Sequence, residues 1–183
     1  MPVNAPNDNL DVLAPSFNLK NIDDGMVSLD NAKGLNGTVI VFICNHCPYV
    51  KAIASRLKKD ADELLEHSIN TIAIMSNDVI NYPEDSFDNM KIFSDKYNFN
   101  FPYLYDETQE VAKNYNAVCT PDFFGFDKDL KLKYRGRIDS GVMNANKNSN
   151  IERDLFNAMI KIKNEGVGPI TQMNSIGCSI KWK

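Results

Sequence analysis

The segment Val39-Ile40-Val41-Phe42-Ile43-Cys44-Asn45-His46-Cys47-Pro48-Tyr49-Val50 runs from an apolar stretch through two cysteines into a helical pattern. Thr38 to Ile43 is continuously apolar or β-branched, as expected of a strand covered on both faces. From Pro48 onward, Val50, Ile53, Ala54, Leu57, Ala61, Leu64 and Leu65 recur with a period near 3.6, and Lys51, Arg56, Lys58 and Glu63 fall mostly on the other side. Pro48 suits the first helical position because its missing amide would be unpaired there anyway, which puts Cys47 at or near the N-cap. A thiol so placed meets free amides and the positive end of the helix macrodipole. Both favour the thiolate, the form that attacks disulfides and peroxides and that binds metals. Cys47 is therefore the first candidate for chemistry.

Outward from this junction, strands and helices alternate. Upstream, Ser16 to Leu29 reads as a hairpin with its turn at Asp24-Gly25. Downstream, Asn70 to Met75 is a second buried strand. Asn81-Tyr82-Pro83-Glu84 opens a helix whose Phe87, Met90, Phe93 and Tyr97 share a face and which ends near Asn98. Phe101 to Tyr105 is extended, and Asp106-Glu107-Thr108-Gln109 has the spacing of a capping box for a short helix to about Tyr115. Phe123 to Phe126 and Lys131 to Arg137 are strands joined by a turn at Asp127-Lys128-Asp129. A last helix spans about Asn150 to Lys163, with Ile151, Leu155, Met159 and Ile162 inward. A hairpin, a βαβ unit and a ββα end make an α/β fold with a central mixed sheet and helices on both faces. One domain over residues 1–183 is expected, with an N-terminal extension at 1–13 and an irregular tail at 166–183.

Composition excludes several classes. The 183 residues carry 24% charged and 43% hydrophobic side chains, as a water-soluble globular chain does, and no segment is long and apolar enough to span a membrane. The net charge is −4 with no Lys/Arg-rich block, which argues against nucleic acid or an anionic membrane as partner. Met1 to Asp11 lacks the charged and apolar regions of a signal peptide, so a cytoplasmic, reducing compartment is expected. Four cysteines there are too sparse for a disulfide scaffold. No phosphate loop, nucleotide fingerprint or Ser/His/Asp arrangement is visible, and no cofactor is expected.

Phe42 to Val50 resembles the strand-to-helix junction of the thioredoxin-like redoxins, and Tyr115-Asn116-Ala117-Val118-Cys119-Thr120-Pro121-Asp122-Phe123-Phe124 is similar to the segment that carries their cis-proline. The likeness covers roughly Ala14 to Lys163. It is closest to the peroxiredoxin-like, alkyl hydroperoxide reductase/thiol-specific antioxidant branch, with its N-terminal hairpin. The resemblance implies a thioredoxin-like fold with an N-terminal β-hairpin extension and thiol oxidoreductase chemistry. It puts Cys47 at the attacking position and Val50 at the usual resolving one, so that Cys44-Asn45-His46-Cys47 is a Cys-x-x-Cys displaced three residues upstream. In the peroxidatic pattern of that branch, Ile40 takes the place of the proline and Cys44 that of the threonine. Arg135 and Arg137 lie on a later strand and give no match for its arginine. These departures argue against efficient peroxidase activity.

The expected mechanism is attack by Cys47 on a peroxide or disulfide, with resolution by Cys44, Cys119 or an external thiol, the reductant being thioredoxin-like or a small thiol. Three fully extended residues would separate the Cys44 and Cys47 Cα atoms by about 10 Å, beyond the ~7 Å a disulfide bridges, so these two pair only if the loop turns tightly. A cis Thr120-Pro121 bond would offer an extended backbone edge to which a substrate strand could add. His46 is either a cation that lowers the thiol pKa and carries protons or a solvent-facing loop residue. Cys119 is either a resolving thiol or a small buried residue at a turn. Cys178 could swing in as a resolving thiol, from this chain or a second subunit, or pack beneath Trp182; packing is the favoured reading. The same thiols with His46 would suit zinc or copper(I), which leaves a metal carrier as an alternative, and a non-catalytic redoxin-fold binding module as another.

Overall fold

The computed structural model describes residues 2–5, 10–144 and 150–183. Its main sheet has seven strands in the order β3-β2-β6-β5-β4-β8-β9: β2 (Asn18–Asn21), β3 (Met26–Ser28), β4 (Gly37–Phe42), β5 (Ile69–Met75), β6 (Tyr103–Tyr105), β8 (Asp122–Phe126) and β9 (Leu132–Gly136). Strands β4, β5 and β6 run parallel, while β8 pairs antiparallel to β4 and β9 to β8. Helices α1 (Leu29–Ala32), α2 (Pro48–Glu66), α3 (Phe87–Tyr97), α4 (Glu110–Asn114) and α5 (Asp154–Glu165) connect them.

The unbroken apolar run of β4 has its reason in this architecture. Alternate side chains point to opposite faces. Val39, Val41 and Ile43 pack with Val50, Leu57 and Leu64 of α2, Met90 and Phe93 of α3 and Met159 of α5. Ile40 and Phe42 pack on the other face with Val111 of α4, Tyr115 and the hairpin side. Each such side chain taken from water contributes roughly 1.5–3 kcal/mol, so polar substitution on either phase of β4 strikes a core.

A second, three-stranded sheet was not expected. It has the order β1-β10-β7, with β1 (Pro2–Asn4), β7 (Cys119–Thr120) and β10 (Ile176–Ser179), all antiparallel. The tail read as irregular thus contains a strand, and residues 2–4 of the N-terminal extension pair with its outer edge. The tail is fastened further on. The Ile180 amide donates to the Val118 carbonyl, Lys181 N–H to Asn77 Oδ1, and Lys183 N–H to Gln109 Oε1.

Other boundaries moved for local reasons. Ser86 accepts from the Asn89 amide and starts α3, so the expected opening at Pro83 is a separate 3-10 turn, Pro83–Asp85. Asn98 ends α3 in the left-handed region. The capping-box reading fails at Gln109, the left-handed N-cap residue of α4, whose side chain caps no amide. It donates instead to the carbonyls of Ser76 and Lys181, while Asp106 accepts from the amides of Val111 and Ala112. Helix α5 begins at Asp154, not Asn150, because Arg153 turns toward α2 and donates to Asp60 and Glu63. Of the expected helix start near Asn150, residues 145–149 lie outside the described residues. No helix among the described residues is long and apolar enough to cross a membrane.

Candidate active site

Cys47 is the N-cap of α2 and Pro48 follows in its first turn, as the spacing implied. Its side chain makes no capping bond to the helix, so the sulfur is left to other partners. The Thr120–Pro121 peptide is cis and stands across from it, with Cys47 Sγ 3.2 Å from the Thr120 carbonyl oxygen. The loop between the cysteines does turn tightly. Cys44 Sγ lies 3.3 Å from Thr120 Oγ1, so both sulfurs meet the same residue. Cys44, Cys47 and Cys119 are all fully buried, and all four cysteines are free thiols.

A buried carboxylate sets that loop. Asp85 Oδ1 accepts from the backbone amides of Asn45 at 2.8 Å and His46 at 3.2 Å, and Asp85 Oδ2 accepts from Asn77 Nδ2 at 2.8 Å. His46 Nδ1 lies 2.6 Å from the same oxygen, so this nitrogen carries the proton, and the ring stacks on Tyr82. Asn45 is held in turn by the Tyr103 hydroxyl. His46 is thus turned toward Asp85 and Tyr82, where it braces the loop. Cys44 Sγ, His46 and Asp85 offer ligand atoms within 4.8 Å of one another. The carboxylate oxygens are engaged by N–H donors there, which makes Asp85 a hydrogen-bond hub in this arrangement.

Cys178 joins the site from β10. It is the cross-strand partner of Thr120, as Ser179 is of Cys119. Cross-strand partners point to the same side of a sheet and successive residues to opposite sides. Thr120, whose hydroxyl meets Cys44, therefore shares a face with Cys178, whereas Cys119 and Ser179 take the reverse face. The Cys119 thiol contacts the Pro121 carbonyl at 3.7 Å. Nearby, the buried Arg135 donates to Asp122 and to the Asn116 carbonyl and lies over Phe124. Cys178 also packs against the cluster that contains Cys44 and Cys47, while Trp182 is 43% exposed with Lys113 over its ring.

These neighbours polarise the sulfurs in opposite directions. The neighbouring thiol of Cys44, then that of Cys178 and the backbone at Val50 and Cys178, bring the Cys47 pKa down to about 5, against the opposing effect of burial. The contact with the Thr120 carbonyl acts the other way and favours the protonated thiol. The Cys44 pKa is held well above the usual thiol range by the neighbouring Cys47 sulfur, by burial and by the Asp85 charge. Burial pushes Cys119 far up. Burial, then the bond to Cys47, raises Cys178 to about 11, with the Lys181 charge pulling the other way. One thiolate among three protonated thiols is the electrostatic state of the site.

Beside the cis-proline lies a mainly apolar pocket lined by Tyr49, Ile53, Pro121, Phe123, Ile138 and Ile176 among others. The sequence left Cys178 between a resolving role and packing beneath Trp182, with packing favoured, and gave no sign of Asp85, Asn77 or Gly177 as site residues. Only Gly177-Cys178 had a local signal, a glycine next to a cysteine in a stretch otherwise without pattern.

A strand, a cysteine at a helix N-cap and a cis-proline facing it define a thioredoxin-like redoxin. The AhpC/TSA family model matches residues 11–135, and the chain belongs to that family. It is similar over its whole length to a solved uncharacterized conserved protein from Geobacillus kaustophilus, at 44% identity and a TM-score of 0.93, covering 97% of that chain. A hypothetical protein from Sinorhizobium meliloti 1021 is 33% identical with a TM-score of 0.92, over 98% of each chain. The peroxidoxin BcpB of Mycobacterium tuberculosis, at 17% identity and a TM-score of 0.57 over 67% of this chain and 81% of that one, shares the fold. No curated protein matches the chain.

Proposed function

We propose that the protein is a thiol oxidoreductase whose nucleophile is the Cys47 thiolate and whose substrate is a peroxide or a disulfide. The observation that carries this reading is the place of Cys47 at the α2 N-cap, opposite the cis-proline, with its sulfur 3.2 Å from the Thr120 carbonyl and with Cys44 and Cys178 packed in the same cluster. With a pKa of about 5, Cys47 is ionised at neutral pH. Toward a hydroperoxide, the thiolate attacks the distal oxygen. The O–O bond breaks, an alkoxide or hydroxide leaves and takes up a proton, and a sulfenic acid remains on Cys47. Toward a disulfide, it displaces one sulfur as thiolate and forms a mixed disulfide with the other. An external thiol, thioredoxin-like or small, then restores the resting site, and a reducing cytoplasm is the setting that supplies it. Thr120 contributes a hydroxyl beside Cys44, at a place where the local segment has only a thiol.

Turnover of a hydroperoxide and of a small disulfide, each with a thiol reductant, tests the reading. The wild type should consume at least one of them and Cys47→Ser neither. Equal rates in both proteins would remove Cys47 from the reaction.

A further inference from the structure

The edge that a redoxin of this kind would offer to an incoming strand is already taken. β10 lies antiparallel on β7, with Cys178 opposite Thr120, and β1 covers its other side. The fit is close: a Cβ built on Gly177 would stand 2.0 Å from the Thr120 carbonyl oxygen and 3.0 Å from the Pro121 nitrogen, so only glycine lets this strand rest on the cis peptide. Downstream, the bonds of Lys181 to Asn77 and of Lys183 to Gln109 hold the strand in register. Where a substrate's sulfur would be presented to the nucleophile, the chain presents its own.

We propose that Cys178, carried by β10, is the resolving thiol of this protein and closes an intramolecular disulfide with Cys47. The proposal rests on the reading of Cys47 as nucleophile. Two geometric facts favour Cys178 over the other cysteines. It shares the Thr120 face of the small sheet and packs against the cluster that contains Cys47, whereas Cys119 is on the reverse face of β7. It is partly exposed, whereas Cys44 is sealed in the core. A resolving thiol must give up its proton and later receive a reductant, and both need a path to solvent. The Lys181 charge near Cys178 favours its deprotonation, while the Asp85 charge near Cys44 opposes it.

The step balances in either branch. After a peroxide, Cys178–SH attacks the Cys47 sulfenic acid, forming the S–S bond and releasing the oxygen with both protons as water. After a disulfide, the Cys178 thiolate attacks Cys47 of the mixed disulfide and expels the substrate's remaining half as a thiol. Reduction by two equivalents of external thiol, starting at the partly exposed Cys178, returns both cysteines and yields one external disulfide.

The test is a disulfide map of the reduced protein treated with one equivalent of hydrogen peroxide, quenched in acid, alkylated and digested without reductant. The expected product is a Cys47–Cys178 linked peptide from protein that migrates as a monomer. It should persist in Cys44→Ser. In Cys178→Ser, Cys47 should accumulate as a dimedone-reactive sulfenic acid and then pass to sulfinic acid. A Cys44–Cys47 or Cys47–Cys119 link in the wild type, a linked dimer, or a wild-type sulfenic acid as long-lived as that of Cys178→Ser would each overturn the proposal while leaving Cys47 as nucleophile. If wild-type Cys47 is not oxidised at all, the reading of Cys47 as nucleophile falls with it. The wild-type map needs no variant to fold.

Discussion

Gly177 and Thr120 are in closer contact than any side chain at position 177 allows: the missing Cβ would sit 2.0 Å from the Thr120 carbonyl oxygen. Gly177→Val must therefore push β10 away from the cis-proline edge. The expected results are faster amide exchange across 176–179, a higher Cys47 pKa through loss of the Cys178 donors, and a stability loss of about 1–3 kcal/mol as for other overpacked sites. Thiolate absorbance followed against pH, together with urea unfolding, checks all three. A variant with wild-type exchange and an unmoved titration would show that β10 is not held by this contact.

Ionisation of Cys47 couples to stability with a definite sign. Its pKa is lowered on folding to about 5, so the native state is favoured as the unfolded thiol ionises, and that gain is lost as pH falls through about 5. Cys44 and Cys178 are raised, and their effect enters only above the unfolded thiol pKa. Between about pH 5 and pH 8.5, the reduced wild type should gain stability relative to Cys47→Ser. Parallel urea curves of the two proteins at several pH values decide this, and a constant difference would contradict it.

Asp60 gives the opposite slope. Burial raises its pKa to about 6 despite the bonds from Arg153, and its Oδ2 has no hydrogen-bond partner. A raised carboxyl favours the fold at low pH, and this contribution disappears as pH rises through about 6, on the order of 2–3 kcal/mol. Asp60→Asn should therefore flatten the stability profile between about pH 4 and pH 7. The comparison is again by denaturant unfolding, and an Asn variant with the wild-type slope would refute it.

Asp85→Ala strands the amides of Asn45 and His46, the His46 ring N–H and the Asn77 amide around an empty place. Leaving buried donors unsatisfied costs about 1–3 kcal/mol each, so a total loss above about 3 kcal/mol is expected, with a slower reaction at Cys47 as the loop loosens. Asp85→Asn keeps the volume, costs less, and lowers the Cys44 pKa by removing a nearby charge. Thermal unfolding and the oxidation rate of Cys47 measure these, and the Ala variant retaining wild-type melting would count against the hub.

The disulfide proposed between Cys47 and Cys178 would close a loop of about 130 residues, worth about 5 kcal/mol in chain entropy. Peroxide-treated wild type should melt well above the reduced protein, and Cys178→Ser should show no such difference in calorimetry. Equal rises in both would place the link elsewhere.

Much of the fold was legible because local signals were strong. The apolar run of β4, the 3.6-residue period of α2 and Pro48 at its start each report on their own surroundings, and together they located Cys47. The hairpin turn at Asp24-Gly25 was likewise written in a short stretch, while the cis-proline was expected from the resemblance of its segment to the redoxins. Asp85 was not legible because its partners lie up to 40 residues away and it sat in what read as a helix start. Cys178 was weighed as a resolving thiol, but the strand that carries it was hidden for the same reason: β10 is a strand only because β7 and β1 flank it. Gln109 matched a capping pattern, but its side chain found carbonyls of distant segments, an override that spacing does not record.

The closeness of Cys178 on β10 to Cys47 has one more effect. The strand that shields the sulfur also supplies part of what ionises it. A fluctuation that lifts the strand uncovers Cys47 and, in the same movement, returns it toward an ordinary, sluggish thiol. Accessibility and potency are thus set against each other, which spares the protein adventitious modification by whatever electrophile happens to be passing.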